Sequence, residues 1–179
     1  MKIYPVRTSF ANNTVCFGRV SKPAQNSVEA NFRLKENSKG YFGENFGEQY
    51  NLKCEIKKGM PTAIIGNIGE KIVNIKIEDD SAMTGTVGDK QVNLNLHFNK
   101  NKWLYKIDGN FGNQTVMAEI DNSSCGVYGD KYIHGNDINI HNCCNFRTMA
   151  FYPSRKFYGE YDLDKDFLPI LGVLVSKIG

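Results

Sequence analysis

The chain has 179 residues, of which 41% are hydrophobic, 12% aromatic and 23% charged, with a formal net charge of +3 at pH 7. This length and composition predict a single folded domain with a substantial core. The small net charge, with Lys and Asp/Glu interspersed, argues against a nucleic-acid partner.

The five cysteines are odd in number and scattered: Cys16, Cys54, Cys125, Cys143 and Cys144. Such spacing does not fit a disulfide framework, and Cys54, within an alternating stretch, is predicted to be a small core residue. The start of the chain lacks the long apolar segment of a secretory signal, and no segment has the roughly 20 apolar residues of a membrane-spanning helix. These features predict a cytoplasmic protein, with a membrane-peripheral location as the alternative.

The sequence predicts an irregular arm at residues 1–13, followed by one β domain from 14 to 179. Residues 14–20 are a short strand candidate, and residues 28–34 alternate apolar and polar side chains as a half-buried strand does. Residues 37–47 contain three glycines among aromatic residues and resemble a loose hairpin that leads into the next strand.

Three segments between residues 61 and 142 share one pattern, and a fourth matches its first half: 64–77, 83–96, 106–120 and 123–133. Each has alternating runs around a two-residue turn that begins with glycine: Gly69-Glu70, Gly88-Asp89, Gly112-Asn113 and Gly129-Asp130. Glycine at the first central position is typical of a type II′ turn, and a two-residue loop fixes the register of a hairpin. This stretch therefore predicts consecutive β-hairpins.

Counting outward from these turns places apolar residues on one face, with a strand glycine opposite a branched residue in each hairpin: Gly66 with Val73, Gly85 with Val92, Gly109 with Val116 and Gly126 with Ile133. Glycines inside strands mark bends or a close approach, and curved sheets and barrels use them. We therefore expect the sheet to wrap around another element. The same alternation predicts that Trp103 and Tyr105 face inward with Ile107, and that Leu104 faces outward.

Further strand candidates follow at residues 146–152 and 156–163. The whole pattern predicts a mainly β fold, an antiparallel hairpin meander of about twelve strands that closes into a barrel or strongly curved sheet. The segment 165–178 differs, because its apolar residues occupy every side and Asp164 or Asp166 can cap a helix. At about 14 residues, a helix here is too short to span a membrane, so we predict a core helix, with a strand as the alternative.

The end of the chain also carries a family resemblance. The residues YDLD at 161–164 precede the apolar run FLPILGVLV at 167–175. Together with about twelve antiparallel strands, this resembles the tubby-like and phospholipid-scramblase-like family, in which a closed barrel encloses a hydrophobic C-terminal helix. The resemblance implies an association with membrane lipid or phosphoinositide headgroups, and it does not imply an enzyme.

One cluster of metal-capable side chains follows the hairpins: His134, Asp137, His141, Cys143 and Cys144. Zinc requires three or four converging ligands, and His141 and Cys143 share a face of an extended strand. The spacing fits no standard zinc site, so ordinary strand and loop residues are the alternative to a metal site at His134, His141 and Cys143. No cofactor is predicted.

Lys71, Lys90 and Lys131 recur just after the glycine turns, and a meander is expected to bring them to one end of the sheet. Three lysines on one rim are a candidate site for an anionic headgroup, although adjacent acidic residues offset their charge. The leading hypothesis is a non-enzymatic β-barrel binding module that associates, by resemblance, with lipid headgroups. The alternatives are a β-repeat module that binds protein or carbohydrate, and a small metalloprotein or enzyme that uses residues 134–144.

Overall fold

The computed structural model describes residues 28–37, 39–78, 81–101, 103–122, 131–135, 138–144 and 154–177. The predicted arm at 1–13, the strand candidates at 14–20 and 146–152, and the turn Gly129-Asp130 lie outside these residues. The described residues form twelve strands and one helix: β1 (Val28–Asn37), β2 (Gly40–Asn45), β3 (Glu48–Lys57), β4 (Met60–Ile68), β5 (Lys71–Glu78), β6 (Ala82–Val87), β7 (Lys90–Phe98), β8 (Leu104–Phe111), β9 (Gln114–Asn122), β10 (Lys131–Gly135), β11 (Ile138–Cys144), β12 (Ser154–Tyr161) and α1 (Phe167–Lys177).

The strands form one antiparallel meander in which consecutive strands are hydrogen-bonded neighbours. The first strand has two partners, because β1 aligns Lys35 with Phe42 of β2 and Val28 with Tyr161 of β12. The prediction of a mainly β, antiparallel hairpin meander with a C-terminal helix is confirmed.

The glycine turns have the predicted geometry. Gly69, Gly88 and Gly112 have φ values of 57°, 60° and 58°, whereas the residues that follow them do not have positive φ. This combination is the one a type II′ turn requires. The strand register also follows the prediction, since Gly66 aligns with Val73, Gly85 with Val92 and Gly109 with Val116.

The fourth predicted hairpin is wrong. Ile133 aligns with Ile120 of β9 and Ile140 of β11, so it does not pair with Gly126. The reason is that β9 extends to Asn122 and β10 begins at Lys131, so the β9–β10 connection is longer than a two-residue loop. The glycine pattern at 123–133 is therefore not sufficient to predict the partner of Ile133.

The strand glycines allow neighbouring backbones to approach closely. At Gly85, which has a φ of 149°, an added Cβ would lie 2.1 Å from the carbonyl oxygen of Asn74 and 2.7 Å from the Cα of Ile75. At Gly66 the corresponding contact is the carbonyl oxygen of Asn51, at 2.1 Å. A side chain at either position would collide with the backbone of the adjacent strand, so this close approach requires glycine.

Helix α1 lies in the core. The ring of Phe167 packs against the ring of Phe111 on β8, with ring centroids 5.5 Å apart and ring planes inclined at 58°. Because the segment has apolar residues on every side, it is stable in water only when it is surrounded. The helix prediction is confirmed and the strand alternative is wrong. The buried helix side chains are Phe167, Leu168, Ile170, Leu171, Val173, Leu174 and Val175.

Cys54, predicted as a core residue, is half-buried and packs against the core from β3. Within the part of the chain that the structure describes, no helix is long and apolar enough to cross a membrane.

Candidate functional site

A β-bulge at the start of β8 exposes two aromatic side chains. The β7–β8 register aligns His97 with Lys106 and then Phe98 with Leu104, so Tyr105 is an extra residue on its strand. Such a bulge reverses the inward–outward alternation beyond it. Leu104 is therefore only 3% exposed, whereas Trp103 and Tyr105 are 48% and 47% exposed. The predicted orientations of all three side chains were wrong, because nothing in the two-residue turns signals the bulge.

The backbone at Trp103 is held by a side-chain cap. The Oδ1 atom of Asn99 accepts hydrogen bonds from the amides of Asn101 (2.9 Å) and Trp103 (3.0 Å). The amide of Asn99 in turn donates to the carbonyl of Trp103 at 2.9 Å. This local arrangement fixes the loop between β7 and β8, so the exposed tryptophan projects from an ordered backbone.

Polar side chains on β7 and β8 contact one another near Tyr105. Asp108 accepts a hydrogen bond from the side-chain amide of Asn95 (2.9 Å), and its other oxygen lies 2.7 Å from Nε2 of His97 and 3.3 Å from Nζ of Lys106. The bond from Asn95, followed by those to His97 and Lys106, lowers the pKa of Asp108. The ring of Tyr105 lies 6.2 Å from that of His97. The site thus combines exposed rings with fixed donors and acceptors.

A second aromatic group lies on β10. The ring of Tyr132 stacks on His134 with centroids 5.4 Å apart, and its hydroxyl donates to Oδ1 of Asn139 on β11. His134 is held in turn by Asp121 of β9, at 2.9 Å. Burial raises the pKa of Tyr132, which keeps the phenol neutral. Each group in this cluster has its orientation set by a neighbour from an adjacent strand.

Strand register places the two groups on one surface. His97 aligns with Lys106, Lys106 with Glu119, and Glu119 with His134. All four are polar residues outside the core, while Ile107 and Ile133, beside Lys106 and His134, are buried. We call this outer surface of β7–β10 the aromatic face; it carries His97, Tyr105, Tyr132 and His134, and the exposed Trp103 directly precedes β8.

The metal-site candidates lie at the edge of this face. His141 aligns with Tyr132, and His134 with Asn139, so the two histidines are diagonal neighbours across β10 and β11. Cys143 lies further along β11, opposite Lys156 of β12. The described residues contain no group of three or more His, Cys, Asp or Glu side chains that could hold a metal ion. The metal site at His134, His141 and Cys143 stays a prediction.

Two of the three candidate lysines lie together where the chain enters α1. Asp166, whose side chain is 1% exposed, accepts hydrogen bonds from Lys71 at 2.9 Å and from Lys90 at 2.5 Å. Lys90 also contacts Asp164 at 2.6 Å. The third carboxylate, Glu48, contacts Lys71 at 2.8 Å and Lys165 at 2.6 Å. We call these three lysines and three carboxylates the rim network.

The ion pairs of the rim network set its protonation. Hydrogen bonds from Lys165 and Lys71 lower the pKa of Glu48 to about 2. For Lys71 and Lys90, burial works to lower the pKa, but the carboxylates outweigh it and the pKa of each lysine is raised. Lys71 and Lys90 are therefore charged at neutral pH. The pairing of these lysines with the carboxylates before α1 and on β3 was the part of this site that the sequence did not reveal.

Lys131 lies at the other end of the sheet. It begins β10, an even-numbered strand that runs antiparallel to β5 and β7, which begin with Lys71 and Lys90. It is 3% exposed, and its Nζ donates to the carbonyl of Val175 near the end of α1, at 3.3 Å. The expectation of three lysines on one rim was therefore wrong for Lys131, because the fourth hairpin does not form as predicted. Anion binding at Lys71 and Lys90 stays a prediction.

Comparison with known proteins gives no relatives: no protein-family model, no curated protein and no solved structure matches this chain.

Proposed function

We propose that the protein is a β-barrel filled by its own C-terminal helix, and that it acts as a carbohydrate-binding module through its aromatic face. The pairing of β1 with both β2 and β12 supports closure of the sheet. The burial of α1 from Phe167 to Val175 supports a filled interior. A barrel whose interior is occupied by its own chain must bind its ligand on the outside or at a rim.

The exposure of both Trp103 and Tyr105, two residues apart at the start of β8, is the observation that carries the proposal. Aromatic rings pack against the apolar faces of sugar rings, and neighbouring polar groups hydrogen-bond the hydroxyls. Asn95, Lys106 and Asp108, which are linked to Tyr105 through His97, supply such donors and acceptors. The cap by Asn99 fixes the backbone of Trp103 before the ligand arrives, which lowers the entropic cost of binding.

Lipid-headgroup binding at the rim, the leading hypothesis from the sequence, has weaker support than the aromatic face. Lys71 and Lys90 each contact two carboxylates, so an anionic headgroup would have to displace Asp164, Glu48 or the buried Asp166. Displacing Asp166 from both lysines would leave a buried carboxylate without a cation, which costs about 3–5 kcal/mol. The resemblance to tubby-like proteins bears on the barrel and leaves the choice of ligand surface open.

The single tryptophan of the chain provides the test, because its fluorescence reports on Trp103 alone. Soluble neutral polysaccharides and oligosaccharides (cellulose-, xylan- and starch-derived) are titrated into the protein. We expect at least one to shift the emission, and Tyr105→Ala to weaken its binding by about tenfold or more. Trp103→Ala should abolish binding. Because this variant has no tryptophan, its binding is measured by retardation in polysaccharide gels.

The matched control is Ile72→Ala, which removes a hydrophobic side chain that is 71% exposed on β5, away from the aromatic face. It should bind as the wild type does. If no neutral carbohydrate binds, or if Tyr105→Ala and Ile72→Ala bind equally well, the proposal is wrong.

A further inference from the structure

We propose that the bound carbohydrate is an extended neutral chain that crosses the strands from β8 to β10, with Tyr132 as a second aromatic contact. This inference rests on the proposed function and adds the length, direction and charge class of the ligand. It begins from the position of Tyr132 relative to Tyr105.

The two tyrosines lie on the same face but on strands separated by β9. Neighbouring strands are spaced by about 4.8 Å, so β8 and β10 are about 10 Å apart. One sugar ring cannot pack against both aromatic groups at that separation. A chain of linked sugars can, provided that it runs across the strands over Asp121 of β9, which aligns with Tyr132.

Tyr132 is fixed in place as a binding residue needs to be. Its ring is stacked on His134, its hydroxyl is bonded to Asn139, and His134 is bonded to Asp121. Three strands therefore cooperate to hold one half-buried ring. A side chain that is already ordered loses little rotamer entropy when a ligand packs against it.

The charges between the two aromatic positions select against anionic chains. β9 presents Glu119 and Asp121, both exposed on the outer face, and Asp108 adds a third carboxylate from β8. Lys106 contacts one of these three carboxylates, that of Asp108, at 3.3 Å. Carboxylates accept hydrogen bonds from sugar hydroxyls, but they repel uronate and sulfate groups. The surface therefore suits a neutral polyhydroxyl chain.

The test compares neutral oligosaccharides of increasing length, from disaccharide to hexasaccharide, in the series that binds the wild type. Affinity is read from Trp103 fluorescence, which Tyr132 substitutions leave in place. We expect the affinity of the wild type to rise with the length of the oligosaccharide. Tyr132→Ala should bind the longest chain about tenfold more weakly than the wild type does, and the disaccharide equally well. Tyr132→Phe keeps the ring and should retain most of the length-dependent gain.

The outcomes separate this inference from the proposed function. If short and long chains bind but Tyr132→Ala shows the wild-type dependence on length, the second contact is wrong and the carbohydrate site stands. If a polygalacturonate or sulfated chain binds more tightly than the neutral chain of equal length, the charge selection is wrong. If no oligosaccharide binds to the folded wild type, both proposals fail. Circular dichroism of each variant establishes that lost binding does not reflect lost fold.

Discussion

The rim network makes a quantitative prediction about a buried carboxylate with two cations. Asp166 bonds both Lys71 and Lys90, so either lysine alone still neutralises it. Lys71→Met or Lys90→Met removes a partly exposed partner and should lower the free energy of unfolding by about 1 kcal/mol. The double variant leaves Asp166 buried without a cation, which costs about 3–5 kcal/mol. The two lysines are therefore expected to be coupled by about 1–3 kcal/mol.

Urea unfolding of the two single variants and the double variant measures this coupling. The control Lys53→Met breaks a salt bridge with Glu55 (3.4 Å) between exposed side chains, and should change stability by less than about 0.5 kcal/mol. If the effects of the two rim lysines add within about 0.5 kcal/mol, the two cations are not shared by one carboxylate in the way described.

A substitution of Asp166 itself gives the sharper test, because the sign of its effect should reverse. In the wild type, Asp166→Asn removes the negative charge and replaces one of the two acceptor oxygens with a donor, so it should destabilise the protein. In the background that lacks both lysines, the same substitution removes an uncompensated buried charge and should stabilise it. Destabilisation in both backgrounds would refute the reasoning.

Two further predictions concern single side chains. Lys165 and Lys71 lower the pKa of Glu48 to about 2, whereas its pKa in the unfolded chain is about 4.3. The ionised carboxylate of Glu48 therefore stabilises the fold above the unfolded pKa, and this stabilisation is lost as the pH falls towards about 2. The difference in unfolding midpoint between the wild type and Glu48→Gln should therefore shrink as pH falls below about 5; a difference that stays constant down to acid pH would contradict it. The bulge predicts that Leu104→Ala costs about 2–4 kcal/mol and Tyr105→Ala less than about 1 kcal/mol in thermal unfolding. The opposite ranking would show that the alternation had not reversed.

The fold was predictable where local chemistry determines it. A glycine that starts a two-residue turn sets the turn type, and the turn sets the pairing of residues on both sides, as at Gly69 and Gly88. The uncharged apolar segment before Lys177 specified a buried helix in the same direct way. These features need no knowledge of distant parts of the chain.

The site was less predictable, because its features depend on long-range or irregular pairing. Tyr105 becomes the extra residue of a bulge through the pairing of β7 with β8 across a loop that has no glycine turn. The partners of Lys71 lie on another strand and on the segment before α1, at Glu48 and Asp166. Lys131 was misplaced because the preceding sequence imitates a hairpin. In each case the decisive contact is formed only once the sheet is assembled.

The pairing of β1 with β12 has a consequence for how the protein folds during synthesis. The other strand pairings in the described chain join consecutive strands, so they form over short loops and can appear early. β1, however, must wait for Ser154–Tyr161, and the inner face of the sheet must wait for Phe167–Lys177. Until β12 and α1 have left the ribosome, the nascent protein exposes unpaired strand edges and an uncovered apolar surface. Chaperone dependence and aggregation during translation should therefore be governed by how soon these two elements emerge.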